Sequence, residues 1–298
     1  MKKILHVLLV LLLAASLVLG GCASSGNEAP APEAPGTDEP PAEEPAEPLK
    51  VALILPGPIN DGGWNTSGYE GLMLIEQEFG AQVAYNENTP VSDYDEVYRG
   101  YAIQGFDIVI GHSSNFADSA KRVAPEFPEQ NFAIIDGFVE APNVAAYASK
   151  EEEGSFLVGV LAGLMTKEAE AYGLTGKEQL GFIGAMEIPL IVKFNAGFQA
   201  GARYVNPDAQ VQVGYVAGSN PFSDTSTAKE IALSQNNRGA GIVYHAAGGS
   251  GLGLFQAAAE GDFLAIGCNS NQNGIEPDHI VASMLKRVDT AAFEIVKA

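Results

Sequence analysis

Basic residues are scarce, with 16 Lys and Arg against 37 Asp and Glu in 298 residues, for a net charge of −21. A nucleic-acid binder neutralises phosphates with clustered Lys and Arg, and this chain has no basic run beyond Lys2-Lys3, so that class of partner is excluded. Cysteine is scarcer still. Cys22 and Cys268 are too few for a disulfide framework, a four-cysteine zinc site or an iron–sulfur cluster. The spacings of common catalytic centres are also missing: there is no G-x-S-x-G, no H-E-x-x-H, no G-x-x-x-x-G-K-[ST] and no Cys with a nearby His. His112, His245 and His279 stand isolated, without the Asp-rich cluster that a metal-dependent hydrolase needs. No enzymatic activity, cofactor or metal is therefore expected. What the chain does have is 46% hydrophobic and 18% charged residues, enough to bury a core.

At the N-terminus, Lys2-Lys3 precede an apolar stretch from Ile4 to Leu19, broken only by His6 and Ser16. Such a run is short for a bilayer and is led by positive charge, as a secretory signal requires, so residues 1–21 read as a signal peptide. Leu19-Gly20-Gly21-Cys22 resembles the lipobox of bacterial lipoproteins, which implies lipidation of Cys22 and a protein held at the outer face of the cell membrane. Residues 22–48 follow as a tether. From Ala23 to Pro48 there are seven Pro, seven Asp or Glu and no Lys or Arg, a composition that stays extended and solvated.

From Leu49 onward, β-rich runs alternate with segments of helical spacing. Leu49 to Leu55 reads as a strand buried on both faces, and Tyr69 to Phe79 as a helix closing at Gly80 after the loop GPINDGGWNTSG. Further strands are expected at 82–85, 107–110, 132–135, 179–183, 211–216, 241–245, 263–266 and 280–285, with single helices between most of them. Strands separated by single helices predict parallel sheets, whose ligands lie outside the carboxyl ends of the strands. The expected architecture is α/β, with two Rossmann-like lobes joined by a hinge. Residues 49–147 plus 287–298 form the N-terminal lobe and 148–286 the C-terminal lobe.

Specific blocks carry a family resemblance. KVALILPGPINDGGWNTSGYEGL, FAIIDG (132–137), EEEGSFLVGVLAGLMT (151–166), GAMEIPLIVKFNAGFQAGARYVNPD (184–208), AAGGSGLGLFQAA (246–258) and SMLKRVD (283–289) occur in order. Together they resemble the basic membrane protein family, nucleoside-binding lipoproteins of ABC importers with a type I periplasmic-binding fold. The resemblance implies capture of a small planar solute, a nucleoside or related purine compound, between the lobes and its delivery to a membrane permease. A surface adhesin, a ligand sensor or a sugar binder is the competing reading.

Site residues follow from strand ends combined with that resemblance. Trp64, the only tryptophan, lies in a Gly-rich loop, and Phe222 follows the strand at 211–216; they match the family's two aromatic faces, a slot for a flat ring. Asn60, Asp61 and Asn65 flank Trp64 with donors and acceptors suited to a base edge or sugar hydroxyls, although such residues also make turns and caps. Asp136 ends a strand and matches a family carboxylate facing the cleft, with a cap or hinge role as its competitor. His112 either lines the cleft or sits in a surface loop. Gly248 lets backbone approach ligand, and Lys286 is either near the ligand or a hinge ion-pair partner. Nucleoside-binding members tend to read Gly-Val-Asp-x-Asp-Gln where this chain has Gly267-Cys268-Asn269-Ser270-Asn271-Gln272, so Asn269 and Asn271 replace carboxylates suited to a ribose diol. The last helix, DTAAFEIVKA, ends the chain short of a further strand and third interlobe crossing, so the N-terminal lobe is expected to lack a piece.

Overall fold

The computed structural model describes residues 47–298; the signal, the lipobox with Cys22 and most of the tether lie outside the described residues. Two five-stranded sheets, every pairing in them parallel, organise this part. The first is built from β1 (Lys50–Ile54), β2 (Gln82–Asn86), β3 (Ile108–His112), β4 (Asn131–Ile135) and β5 (Val144–Tyr147), in the order β2-β1-β3-β4-β5. The second holds β6 (Gln179–Gly184), β7 (Val211–Tyr215), β8 (Ala240–Ala246), β9 (Leu264–Asn269) and β10 (Ile280–Leu285), in the order β10-β9-β8-β6-β7.

The helices are α1 (Trp64–Phe79), α2 (Tyr94–Ile103), α3 (Ala117–Val123), α4 (Glu151–Lys167), α5 (Pro189–Val205), α6 (Thr225–Asn237), α7 (Gly251–Gly261) and α8 (Val288–Lys297). Strand β1 shows why the sheets must be sandwiched. Val51 and Leu53 enter one core with Leu72 and Ile75 of α1, while Ala52 and Ile54 enter another with Tyr98 and Phe116, and all four strand residues are fully buried. A strand covered on both faces reads as a continuous apolar run, which is what the sequence has there.

The chain passes between the lobes after β5 and again after β10. Helix α8 then returns to the first lobe, where Val288, Ala292 and Ile295 join the core beneath α1. In the second lobe α4 and α5 pack with their backbones nearly touching: a Cβ on Gly201 would collide with the carbonyl oxygen of Phe156, and Gly159, Gly163 and Gly197 meet the opposite helix in the same way.

The clearest departure from the expected elements is at α1, which begins at Trp64 instead of Tyr69. Periodicity alone misses the start because its first turn, Trp-Asn-Thr-Ser, has no apolar repeat; the start is set by a carboxylate upstream, as described below. Strand β3 likewise runs two residues further than its apolar stretch and ends on His112.

Candidate functional site

Asp61 is the residue that starts α1. Its carboxylate accepts from the backbone N–H groups of Gly63 (2.9 Å), Asn65 (3.0 Å) and Thr66 (3.0 Å), and from the Asn65 side-chain amide (2.8 Å). These are the orphan donors of a helix start, and the negative charge meets the positive end of the helix dipole. The result is that the Trp64 indole is held in the first turn of a helix and not in a loop. It stacks on the His112 ring with centroids 4.2 Å apart and planes 23° from parallel.

His112 is fully buried. Its Nε2–H donates to the Trp64 carbonyl oxygen at 2.9 Å, and burial pushes its pKa down to about 4, so the ring is neutral. A Cβ on Gly68 would stand 2.7 Å from this imidazole, which is why α1 needs glycine there. His112 thus lies behind the indole, away from solvent, and belongs to neither of the two places expected of it.

A buried ionic cluster sits beside the indole. Lys286, just after β10, donates to Asp136 Oδ2 and, at 2.7 Å, to Glu151 Oε1; the three side chains are at most 3% exposed. Lys193 on α5 reaches Glu151 Oε2 at 3.5 Å. The Lys286 ammonium also stands 4.7 Å from the Trp64 ring centroid and 5.5 Å from that of Phe194. Asp136 follows β4 with a φ of 59°, and desolvation raises its carboxyl pKa against the lowering pull of Lys286. The cluster ties the first lobe, through Asp136, to both segments in which the chain passes between the lobes.

Sequence reasoning missed Glu151. It was legible only as one of three glutamates favoured by the dipole at the start of α4, and nothing in Glu151-Glu152-Glu153 says that the first alone is fully enclosed.

Between the lobes lies a cavity of about 540 Å³. The first lobe contributes Asp61, Trp64, Asn65 and Asp136 to its wall, and the second Phe222, Gly248, Asn269 and Lys286. Trp64 and Phe222 therefore line one cavity from opposite lobes. Gly248, at φ 55°, lies under Phe222: a Cβ there would sit 3.4 Å from the ring. Asn65 Oδ1 and Asp136 Oδ1 are buried without a hydrogen-bond partner. Apolar wall residues that sequence reasoning also missed include Tyr94, Ile191 and Phe194; all three are core-like in composition and show no loop signal.

Two expected residues stand apart from the cavity besides His112. Asn60 is exposed outside its wall, because the chain turns there to bring Asp61 under the helix. Asn271 is exposed in the turn after β9, where its Oδ1 accepts from the Asn273 amide at 3.2 Å, as Asn does in a local turn. Asp61, although on the wall, has its carboxylate occupied by the helix start.

Outside the cavity the lobes are fastened by a small polar contact. The carbonyl oxygen of Gly62 accepts from Ser270 Oγ at 2.9 Å and from Gln272 Nε2 at 3.0 Å. Gln272 is only 2% exposed, and its Oε1 accepts from the Cys268 amide (2.7 Å) and from His245 Nε2 (3.1 Å). Those two donors fix the orientation of the amide, leaving its N–H to face the other lobe.

The family model described as ABC transporter substrate-binding protein PnrA-like matches residues 49–298. The CD4+ T-cell-stimulating antigen of Listeria monocytogenes is 31% identical over 264 residues, which are 86% of this chain and 68% of that protein. The ABC transporter nucleoside-binding protein BmpA of Lactococcus lactis is 29% identical, over 99% of this chain and 84% of the relative. Among solved structures, an ABC transporter solute-binding protein from Aeropyrum pernix K1 superposes with a TM-score of 0.77 at 26% identity, covering 84% of this chain and 70% of that one.

Proposed function

Since the chain belongs to the PnrA-like family of ABC transporter substrate-binding proteins, we propose that its solute is a nucleoside or a closely related purine compound, held in the interlobe cavity and handed to a membrane permease. The family is one of binding proteins, not enzymes. The observation that carries the reading is the placement of Trp64 and Phe222, from opposite lobes, on the wall of one cavity. The phenyl ring of Phe222 offers a π-face to a flat heterocycle, worth on the order of 1 kcal/mol beyond the area it covers, and the indole on the opposite lobe, backed by His112 and with the Lys286 ammonium over its ring, adds aromatic wall. A relative's designation as nucleoside-binding supports the same class of ligand.

The polar groups fit the sugar end of such a solute. Asn269 lines the cavity whereas Asn271 does not, so of the two positions where a carboxylate was expected, one meets the solute and it is a carboxamide. An amide both donates and accepts, in contrast to a carboxylate, which only accepts. The site therefore suits a sugar with fewer free hydroxyl donors than ribose, or a free base. A thermal-shift panel of ribonucleosides, 2′-deoxyribonucleosides, free bases and sugars tests this. A rise in Tm of several degrees with at least one purine compound is expected, with the deoxy form at least as effective; no rise with any of them overturns the reading.

The mature protein is read as anchored through lipid on Cys22, with the acidic Pro-rich segment up to Pro48 as the tether between membrane and lobes. The lipobox resemblance and the composition of the segment support that reading. Among the described residues no helix is long and apolar enough to cross a membrane.

A further inference from the structure

Lys286 looks at first like an anchor for an anionic ligand, because it is a lysine in the wall of an interlobe cavity. Its surroundings argue otherwise. Two of its N–H bonds go to Asp136 and Glu151, and the remaining direction faces the aromatic rings of Trp64 and Phe194. Two buried carboxylates thus outweigh one buried ammonium, and Lys193, which balances Glu151 from the other side, is 46% exposed. Asp61 adds a further negative charge to the wall.

Of the helix starts near the cavity, those of α1 and α4 are already taken, whereas that of α5, with Ile188, Leu190 and Ile191 on the wall, carries no side-chain cap. At α1 the orphan N–H groups point at the Asp61 carboxylate, and the first turn of α4 contains Glu151 itself.

We infer that Glu151, which does not touch the cavity, sets its charge selectivity: by neutralising Lys286 from behind it makes the site reject anionic solutes such as nucleoside phosphates and accept neutral ones. Glu151 acts through Lys286 and is a positioning residue for specificity, and this inference rests on the solute-capture reading above. A charge buried as Glu151 is lies in a low-dielectric surrounding and is screened little towards the adjoining cavity wall. Removing it shifts the balance towards the cations while Gln still offers an oxygen to the Lys286 ammonium.

Trp64 reports on this directly, because it is the only tryptophan and forms part of the wall. In the full chain, quenching of its fluorescence by iodide, an anion, is compared with quenching by neutral acrylamide, both relative to free tryptophan. The wild type is expected to show iodide quenching suppressed several-fold more than acrylamide quenching. Glu151→Gln is expected to raise the iodide-to-acrylamide ratio about threefold. Glu153→Gln, the same charge change at an exposed residue paired with Lys150, is expected to leave the ratio unchanged. Should Glu151→Gln fold poorly, Asp136→Asn removes the other carboxylate and is expected to raise the ratio in the same sense.

An unaltered ratio in the folded variants, or equal suppression of both quenchers in the wild type, overturns the inference. In parallel, thermal shifts are recorded with a purine nucleoside and its 5′-monophosphate: the wild type is expected to respond to the first alone, and Glu151→Gln to gain at least a tenfold improvement in the monophosphate-to-nucleoside affinity ratio. The quenching arm uses no nucleoside. A changed ratio without nucleoside binding sinks the proposed solute and leaves the charge filter standing, whereas nucleoside binding with an unchanged ratio does the reverse.

Discussion

His112 and His245 are both fully enclosed, and burial pushes the pKa of each down to about 4. An unfolded histidine titrates near 6.5, so between pH 6.5 and 4 the unfolded chain binds protons that the folded one refuses. Stability is therefore full above that window and falls as pH drops through it, by about 2 kcal/mol for each ring at pH 5. The raised carboxyl of Asp136 works in the opposite sense, since its ionisation is the costly state, and offsets part of the loss. Thermal unfolding at pH 7 and pH 5 should show a marked drop in Tm, smaller in His245→Asn; an equal drop in both would mean the imidazoles are not responsible. None of this enclosure was legible in the sequence. A histidine at a strand end reads equally as cleft wall or loop, and only the stacked indole and the close passage of Gly68 decide that His112 is backing for Trp64.

At the level of elements, strands and helices were largely readable because each buried strand is an apolar run and each helix has its period. The exceptions are ends governed by side chains instead of periodicity, such as the start of α1, which depends on Asp61 three residues upstream. The turn after β9 is a further case. Asn269 and Asn271 are two residues apart and look equivalent in the sequence, yet Asn269 adopts a φ of 70° and faces the cavity while Asn271 faces solvent.

The same turn supplies Ser270 and Gln272, whose contact with Gly62 involves no ligand. It should favour the closed lobes even in the empty protein. Ser270→Ala removes one neutral hydrogen bond, worth about 1 kcal/mol, and so should increase the open population about fivefold. Hydrogen exchange of residues 57–63, which lie on the opposite lobe from the substitution, reads this out: faster exchange in the ligand-free variant is expected, with Ser270→Thr restoring protection. Unchanged exchange there would show that the contact does not hold the lobes.

For the molecule as a whole, the two-lobe plan was legible from the alternation of elements and the family blocks, while the ionic cluster that joins the lobes was not, because its three members are 135 and 150 residues apart in pairing and only the fold brings them together. Placement at the membrane belongs to this scale too. A palmitate analogue fed to cells should label the wild-type chain and not Cys22→Ser, and the variant should leave the membrane fraction; equal labelling would remove the anchor.

Helix α8 has a consequence for biogenesis. The core under α1 includes Val288, Ala292 and Ile295, residues made after the entire second lobe. A nascent chain can finish its second lobe as a local unit, but its first lobe must wait with an apolar face uncovered until synthesis has passed residue 295. The lobe translated first is thus the one that matures after the other.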